Sequence, residues 1–224
     1  AGNFKKISFD VGPTLAGWME KRDSQTHELI VTADRQHFFR YGAGNAMAQP
    51  HNHTILPLSS SHDKRTQIIW GIYDFERRFG QLPEGMWIQE TAVDYECLEI
   101  IAELGITYTI LAPWQAAGPV DTTEPYTVQL ANGRSIVVFF FHEGLSSAVS
   151  FDQRVTLNAD AFSIEHLHRQ LNGDKLARGE AQLLLVSTDG EVYGHHQPQR
   201  DQFLRYLLDV AAPQHGFEVV TLAR

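Results

Sequence analysis

The sequence predicts an α/β fold in which a mainly parallel sheet is covered by helices. Short apolar runs alternate with segments of helical periodicity, and most of the joints between them are short. The dipeptide Asn132-Gly133 between two alternating runs is a strong hairpin signal and marks one antiparallel exception. A count of about six main strands favours an incomplete or distorted (β/α) barrel, with an open doubly wound sheet as the alternative.

The first half of the chain predicts three strands and several helices. Asp63 is a candidate N-cap and Gly80 a stop for the clearest helix. The predicted elements are a strand at Lys6–Phe9, two helical pieces within Pro13–Phe39 divided near Asp23-Ser24, a weak strand at Ala46–Gln49, a helix at Asp63–Phe79, a strand at Gly85–Gln89 and a helix from Asp94 to Leu104.

The second half continues the alternation and adds the hairpin. The predicted elements are a strand at Ile106–Leu111, hairpin strands at Thr127–Leu130 and Ser135–Phe141, a helix at Asp160–Leu171, a fully buried strand at Leu183–Ser187, a helix at Gln202–Val210 and a last strand at Phe217–Thr221. The Gly/Pro/Thr-rich stretch Ala116–Pro125 connects a strand to the hairpin. We therefore expect one barrel domain over residues 1–224.

Composition narrows the class of protein. Hydrophobic residues make up 43% of the 224 residues, which is enough for a sizeable core. The net charge of −9 opposes binding to nucleic acid or to anionic membranes. Cys97 is the single cysteine and lies on an apolar helix face, so we expect an inert thiol, no disulfide and a cytoplasmic protein. No run of residues is long and apolar enough for a membrane span.

Two carboxylates follow predicted strands of the same sheet. Glu90 follows the strand at Gly85–Gln89, and Asp189 and Glu191 follow the strand at Leu183–Ser187. Ligand sites of parallel α/β sheets lie at these carboxyl ends, and two facing carboxylates are what cleavage of a glycosidic bond needs. The alternative is structural: Glu90 leads into the next helix, and Asp189 caps the turn that follows it.

Aromatic and histidine residues are further candidates for the site. Trp87 and Trp114 are candidate platforms for sugar rings. No two histidines stand three or four residues apart, the helical chelate spacing of zinc hydrolases. A metal would have to be assembled from histidines that are not so spaced, together with Asp10 or Asp189. The histidines concerned are His51, His53, His195 and His196.

At these residues the sequence resembles glycoside hydrolase family 57, whose members act on α-glucans. Gly85–Ala92 resembles the family's Trp-Leu-Pro-Glu segment, and Thr188–His195 resembles its Asp-x-Glu-x-x-Gly-His segment. Gln49–Leu58 is similar to the segment that lines the sugar site ahead of the nucleophile. The similarity runs in order from about Ile7 to His196 and includes Phe139–Ser146.

The resemblance implies a distorted seven-stranded (β/α) barrel of the glycoside hydrolase/deacetylase type. It also implies a retaining double displacement in which Glu90 is the nucleophile and Asp189 the general acid/base, with carboxyl groups about 5–5.5 Å apart in one cleft. This chemistry needs no cofactor and no catalytic metal. The candidate substrate-binding residues are His51, His53, Trp87, Trp114, Glu191 and His195.

The sequence also departs from the family pattern. The family's opening His-x-Pro motif and the helical region after the barrel have no counterpart, so we expect the chain to be part of a larger protein. Gln89 stands where the family usually has Pro, and His142-Glu143 stand where an acidic or aromatic pair is usual.

Two alternatives to the glycoside hydrolase or glucanotransferase stay open. One is a non-catalytic or incomplete carbohydrate-binding domain. The other is a metal-dependent carbohydrate deacetylase, with Asp10, Asp189 and the histidines as ligands. Substrate linkage, hydrolysis versus transfer, and oligomeric state are not defined by the sequence.

Overall fold

The computed structural model describes residues 2–223, which fold into two compact units. Unit 1 contains residues 2–110, 126–138 and 220–223, and unit 2 contains residues 111–125 and 139–219. The prediction of one domain over residues 1–224 stays a prediction.

The helices follow the predicted order closely in the first half of the chain. Those of unit 1 are α1 (Pro13–Arg22), α2 (Ser24–Tyr41), α3 (Ser61–Phe79) and α4 (Tyr95–Glu103). Those of unit 2 are α5 (Glu143–Phe151), α6 (Ala159–Phe162), α7 (Gly173–Ala177), α8 (Arg200–Tyr206) and α9 (Ala212–Gln214). None of the helices within residues 2–223 is long and apolar enough to cross a membrane.

Six short strands are present in the described residues. They are β1 (Phe9–Asp10), β2 (Ala46–Met47), β3 (Gly85–Met86), β4 (Tyr108–Leu111), β5 (Tyr126–Gln129) and β6 (Ser135–Phe140). β1 pairs with β2 in parallel, and a second sheet has the order β3-β4-β6-β5. The pairing of β3 with β4 is parallel and that of β5 with β6 antiparallel, which confirms the predicted hairpin.

Backbone hydrogen bonds at Ala48 extend the parallel pairing from β2 to β3. Ala48 N donates to Gly85 O at 3.0 Å, and Trp87 N donates to Ala48 O at 2.8 Å. The chain after β1, β2 and β3 therefore leaves its strands at one edge, where Asp10, Gln49 and Gln89 lie.

Helix α3 shows how local sequence sets the limits of an element. Ile68 and Phe75 are buried on its inner face, as the apolar spacing predicts. Gly80 ends the helix with a left-handed φ of 74°, the conformation that glycine adopts most readily. The predicted N-cap was wrong, because the side chain of Ser60, and not that of Asp63, accepts the hydrogen bond at the helix start.

Helix α4 and Cys97 agree with the sequence expectation. The Asp94 side chain caps the helix by accepting from Cys97 N at 2.8 Å. Cys97 is fully buried, and this burial raises the pKa of its thiol to about 12. The buried position of Cys97 confirms the predicted core placement, and the raised pKa favours the protonated thiol at neutral pH.

Two predicted strands of the second half were wrong. Leu183–Ser187 belongs to no strand, and it is half-buried rather than buried on both faces. Only alternate side chains, Leu184 and Val186, pack against the core of unit 2, so an unbroken apolar run overstated the burial. Phe217–Thr221 is likewise not a strand.

The predicted helices of unit 2 are present in broken form. A π-helical turn at Ser163–Leu167 and a 3-10 turn at His168–Gln170 follow α6, and a second π-helical turn at Leu207–Ala211 links α8 to α9. At the other end of the chain, the predicted strand at Lys6–Phe9 is shifted, because β1 begins only at Phe9.

Candidate active site

The turn after β3 holds Glu90 in an unusual backbone conformation. Gln89–Thr91 form a 3-10 turn in which Glu90 has φ 57° and Thr91 has φ 52°. Two consecutive left-handed residues that are not glycine cost about 1–3 kcal/mol each, a strain that clusters at functional sites. The Glu90 side chain is 65% exposed, so the turn presents its carboxylate to solvent rather than leading it into α4.

A histidine orients this carboxylate. His53 Nε2 lies 2.8 Å from Glu90 Oε1, within hydrogen-bond distance, and the His53 side chain is 67% exposed. With the proton on Nε2, the ring donates to a carboxylate oxygen and leaves the other oxygen free to react. The structure therefore brings two predicted site residues together.

The neighbouring His51 has an unused polar atom. Its backbone N–H donates to Gln67 O at 3.0 Å, and its ring meets Trp70 edge-on at 5.7 Å between centroids. Nδ1 of His51 is buried and has no hydrogen-bond partner within the described residues.

Two glutamines that sequence reasoning did not select support the Glu90 turn. Gln89, 1% exposed, donates through Nε2 to Gln49 Oε1 at 3.0 Å and to Pro50 O at 2.9 Å. Gln49 Nε2 in turn donates to Asp10 Oδ2 at 2.7 Å. The one signal in the sequence was the presence of Gln89 where the resembled family usually has Pro.

Helix α3 packs closely behind this network at Gly71. A Cβ at Gly71 would overlap the carbonyl oxygen of Gln49 and lie 2.9 Å from its carbonyl carbon. Only glycine permits this approach, so α3 is a rigid backing for the Gln49–Pro50 backbone.

The second candidate carboxylate lies in unit 2. Asp189 precedes a 3-10 turn at Gly190–Tyr193, and its carbonyl accepts from Val192 N at 3.2 Å. Its exposed side chain makes no capping hydrogen bond, so the structural role as a cap does not account for this carboxylate. Burial raises the pKa of the neighbouring Tyr193 phenol, whose hydroxyl oxygen accepts from Thr188 Oγ1 at 3.2 Å.

The remaining predicted residues of unit 2 surround this turn or lie elsewhere in the unit. Glu191 Oε2 lies 3.0 Å from His196 Nε2, and the rings of His195 and His196 are 4.8 Å apart between centroids. Trp114 is 64% exposed and meets Phe141 edge-on. The indole is exposed, and its role as a sugar platform stays a prediction.

The predicted site residues divide between the two units. Unit 1 holds His51, His53, Trp87 and Glu90, and unit 2 holds Trp114, Asp189, Glu191 and His195. A shared cleft and a carboxyl separation of about 5–5.5 Å remain predictions.

The acidic and histidine residues do not form a metal-ligand cluster within residues 2–223, where no group of three or more His, Cys, Asp or Glu side chains could hold a metal ion. Asp10, named as a ligand in the deacetylase alternative, accepts a hydrogen bond from Gln49. His53 contacts Glu90.

Comparison with known proteins gives the family. The model of Glycosyl hydrolase family 57 matches residues 11–223. Alpha-amylase 1 from Dictyoglomus thermophilum is 32% identical over an alignment of 116 residues, and the match covers 48% of this chain and 16% of that protein.

Solved structures confirm the predicted fold class, a distorted (β/α) barrel of α/β type. An exo-type maltose-forming amylase from Pyrococcus sp. ST04 has a TM-score of 0.80 at 17% identity, covering 98% of this chain and 36% of that chain. A GH57-type branching enzyme from Pyrococcus horikoshii has a TM-score of 0.72 at 18% identity, covering 93% and 49%. This chain therefore spans half or less of the length of these proteins. Because the family model matches nearly all of it, the chain belongs to glycosyl hydrolase family 57.

Proposed function

We propose that this chain carries the catalytic carboxylates of a retaining glycoside hydrolase or glucanotransferase that acts on α-glucan-like sugars. The observation that carries the proposal is the Glu90 turn. The turn holds an exposed carboxylate on a strained, left-handed backbone, and His53 contacts that carboxylate at 2.8 Å.

The proposed reaction proceeds in two displacements. Glu90 attacks the anomeric carbon and forms a glycosyl ester, while Asp189 gives a proton to the departing glycosidic oxygen. Asp189 then takes a proton from water or from an acceptor hydroxyl, and that oxygen attacks the anomeric carbon and releases Glu90. Two inversions at one carbon give net retention of configuration.

Other residues bind the sugar in this proposal. His51 and His53 contact sugar hydroxyls, and Trp87 and Trp114 stack on apolar sugar faces. Glu191 and His195 contact hydroxyls beside Asp189.

The choice of α-glucans rests on the relatives. The matched proteins are an alpha-amylase, a maltose-forming amylase and a branching enzyme, so hydrolysis and transfer both occur among them. Which of the two this chain performs depends on whether water or a second sugar reaches the glycosyl ester.

The test is the anomeric configuration of the first product. The intact protein is incubated with maltooligosaccharides, and proton NMR spectra are recorded before the new reducing ends mutarotate. We expect the α-anomer to form first, and we expect Glu90→Gln to abolish the reaction. Glu76→Gln, which alters an exposed glutamate on α3, is the matched control and should react like the wild type.

Two other results would replace the proposal. Saturable sugar binding with no turnover by the intact protein would favour the non-catalytic domain. Release of acetate from an acetylated oligosaccharide only with an added divalent metal would favour the deacetylase. A β-anomer as first product would contradict retention.

A further inference from the structure

Gln89 precedes Glu90 directly, and its side chain is sealed in the interior. It is 1% exposed, whereas the Glu90 side chain next to it is 65% exposed. The turn therefore directs the Gln89 side chain into the interior and the Glu90 side chain toward solvent.

The hydrogen bonds of Gln89 form a chain whose polarity is determined. The Asp10 carboxylate only accepts, so Gln49 turns its NH2 group toward Asp10 Oδ2 at 2.7 Å. The amide oxygen of Gln49 then faces Gln89, which must present its own NH2 group at 3.0 Å. The same NH2 group donates to Pro50 O at 2.9 Å, and Oε1 of Gln89 is left buried without a partner.

The strained backbone begins at the next residue. Glu90 and Thr91 have φ 57° and 52°, and local bonds alone, such as Thr91 N to Ile88 O at 2.9 Å, are compatible with ordinary turns. A left-handed pair persists only where surrounding structure over-determines it. The buried Gln89 amide ties this turn to residues 40 positions away in the sequence.

We propose that Gln89 is a positioning residue that holds Glu90 in its left-handed conformation through the hydrogen bonds to Gln49 and Pro50. The catalytic consequence rests on the proposed function of Glu90, but the conformational one does not.

Two variants separate hydrogen bonding from shape. Gln89→Met keeps the length of the side chain and removes both donated bonds. Gln89→Glu keeps the shape but turns a carboxylate toward two acceptors, the Gln49 amide oxygen and the Pro50 carbonyl. A protonated Glu can still donate one bond, so the Glu variant should gain a new ionisation that the wild type lacks.

The conformational readout needs no substrate. In crystal structures of the intact protein, we expect Gln89→Met to move residue 90 to negative φ and to break the 2.8 Å contact with His53. Gln197→Met in unit 2 is the matched control. Gln197 is also buried, at 3% exposure, and donates to Val149 O. Its replacement therefore measures the loss of stability that follows from removing any buried amide. It should lower the melting temperature and leave φ of residue 90 unchanged.

The kinetic readout uses maltooligosaccharides. We expect Gln89→Met to lower kcat about 10- to 100-fold with KM within about twofold, since a small misplacement of a reacting group has effects of this size. The activity of Gln89→Glu should fall, relative to wild type, as the pH rises through the pKa of the new carboxyl. If Gln89→Met does not fold, the low-pH and high-pH structures of Gln89→Glu decide in the same way.

Each outcome has a separate meaning. A wild type without activity would refute the proposed function and leave the crystallographic comparison to decide this inference. An unchanged φ of residue 90 and an intact His53 contact in Gln89→Met, or no new ionisation in Gln89→Glu, would overturn it.

Discussion

The turns that carry Glu90 and Asp189 are held in different ways. The Glu90 turn is fixed by buried side chains, a strained backbone and a histidine on the carboxylate itself. The Asp189 turn is held by backbone hydrogen bonds and by the Thr188–Tyr193 side-chain bond, none of which involves the Asp189 carboxylate. The side chains of Asp189, Glu191 and His195 are exposed.

The difference fits the two proposed tasks. A nucleophile must meet one carbon atom from one direction, so an error in its position is costly. A general acid/base exchanges protons with a leaving group and then with water or an acceptor, and it works beside solvent. Rigidity should therefore matter most around Glu90.

The largest expected effect separates the two carboxylates by chemical rescue. Glu90→Ala and Asp189→Ala should each lower kcat by about 10²–10⁴-fold or more on an activated aryl α-maltooligoside. Added azide should restore turnover in both variants with opposite stereochemistry. Azide replaces Glu90 directly and gives the inverted β-glycosyl azide, whereas in Asp189→Ala it attacks the ester on Glu90 and gives the retained α-product.

The anomers are read by NMR after product isolation. Glu76→Ala is the control and should show neither loss nor azide product. The same anomer from both variants would contradict the division of roles.

The next effect tests the rigid backing of the Glu90 turn. Gly71→Ala should destabilise the protein by about 1–3 kcal/mol, because the new methyl group overlaps the Gln49 carbonyl oxygen. Gly17→Ala in α1 is the control, since its Cβ would meet only Arg78 Nη2 at 3.5 Å. It should stabilise by about 0.5–1 kcal/mol through helix propensity. Urea unfolding measures both, and equal effects would argue against close packing at Gly71.

A smaller effect concerns pH and unit 2. Lys175 Nζ lies 2.7 Å from Asp121 Oδ2, and this contact lowers the pKa of Asp121 to about 2. The loop that contains Asp121 also accepts a hydrogen bond from Leu183 N, at the start of the run that leads to Asp189. Because the pKa of Asp121 is lower in the folded than in the unfolded protein, its ionised form stabilises the fold at pH values above the unfolded pKa near 3.8. This stabilisation is lost as the pH falls toward 2.

We therefore expect the melting temperature to fall between about pH 4 and pH 2, and to fall less in Asp121→Asn. Glu165→Gln, an exposed change in unit 2, is the control and should keep the wild-type dependence. An Asp121→Asn profile parallel to the wild type would show that this ion pair does not contribute.

The smallest expected effect comes from replacing the histidine that contacts a glutamate of each turn, His53 at Glu90 and His196 at Glu191. His53→Ala should lower kcat by less than about tenfold, since an exposed hydrogen bond contributes about 0.5–1.5 kcal/mol. His196→Ala removes the analogous bond to Glu191 in unit 2 and should change kcat less, because Glu191 does not react in the proposed mechanism. A larger effect on kcat at His196 than at His53 would indicate that the position of the Glu191 side chain matters more than that of Glu90.

The sequence was informative where local chemistry decides the structure. The division of the first helical region at Asp23-Ser24, the stop at Gly80 and the hairpin at Asn132-Gly133 all follow from capping and turn preferences, and all are present. The position of Glu90 in the segment that follows β3 agrees with the predicted strand order, although the strand itself ends at Met86.

The remainder depends on contacts between distant residues. The Gln49–Gln89 bond joins positions 40 apart, and no local pattern encodes it. The left-handed conformation of Glu90 is sterically unfavourable for its residue type, so propensity argues against it. Leu183–Ser187 was wrongly predicted as a fully buried strand, because an apolar run does not reveal whether one face or both faces of a segment are covered.

In the proposed mechanism, Glu90 forms the covalent bond to the sugar. The intact protein is treated with a fluorinated α-glucosyl substrate whose ester intermediate forms faster than it hydrolyses, and the labelled peptides are mapped by mass spectrometry. We predict one glycosyl adduct on Glu90, absent from Glu90→Gln and longer-lived in Asp189→Ala. An adduct on Asp189 or Glu191, or product formation by Glu90→Gln at the wild-type rate, would contradict the account.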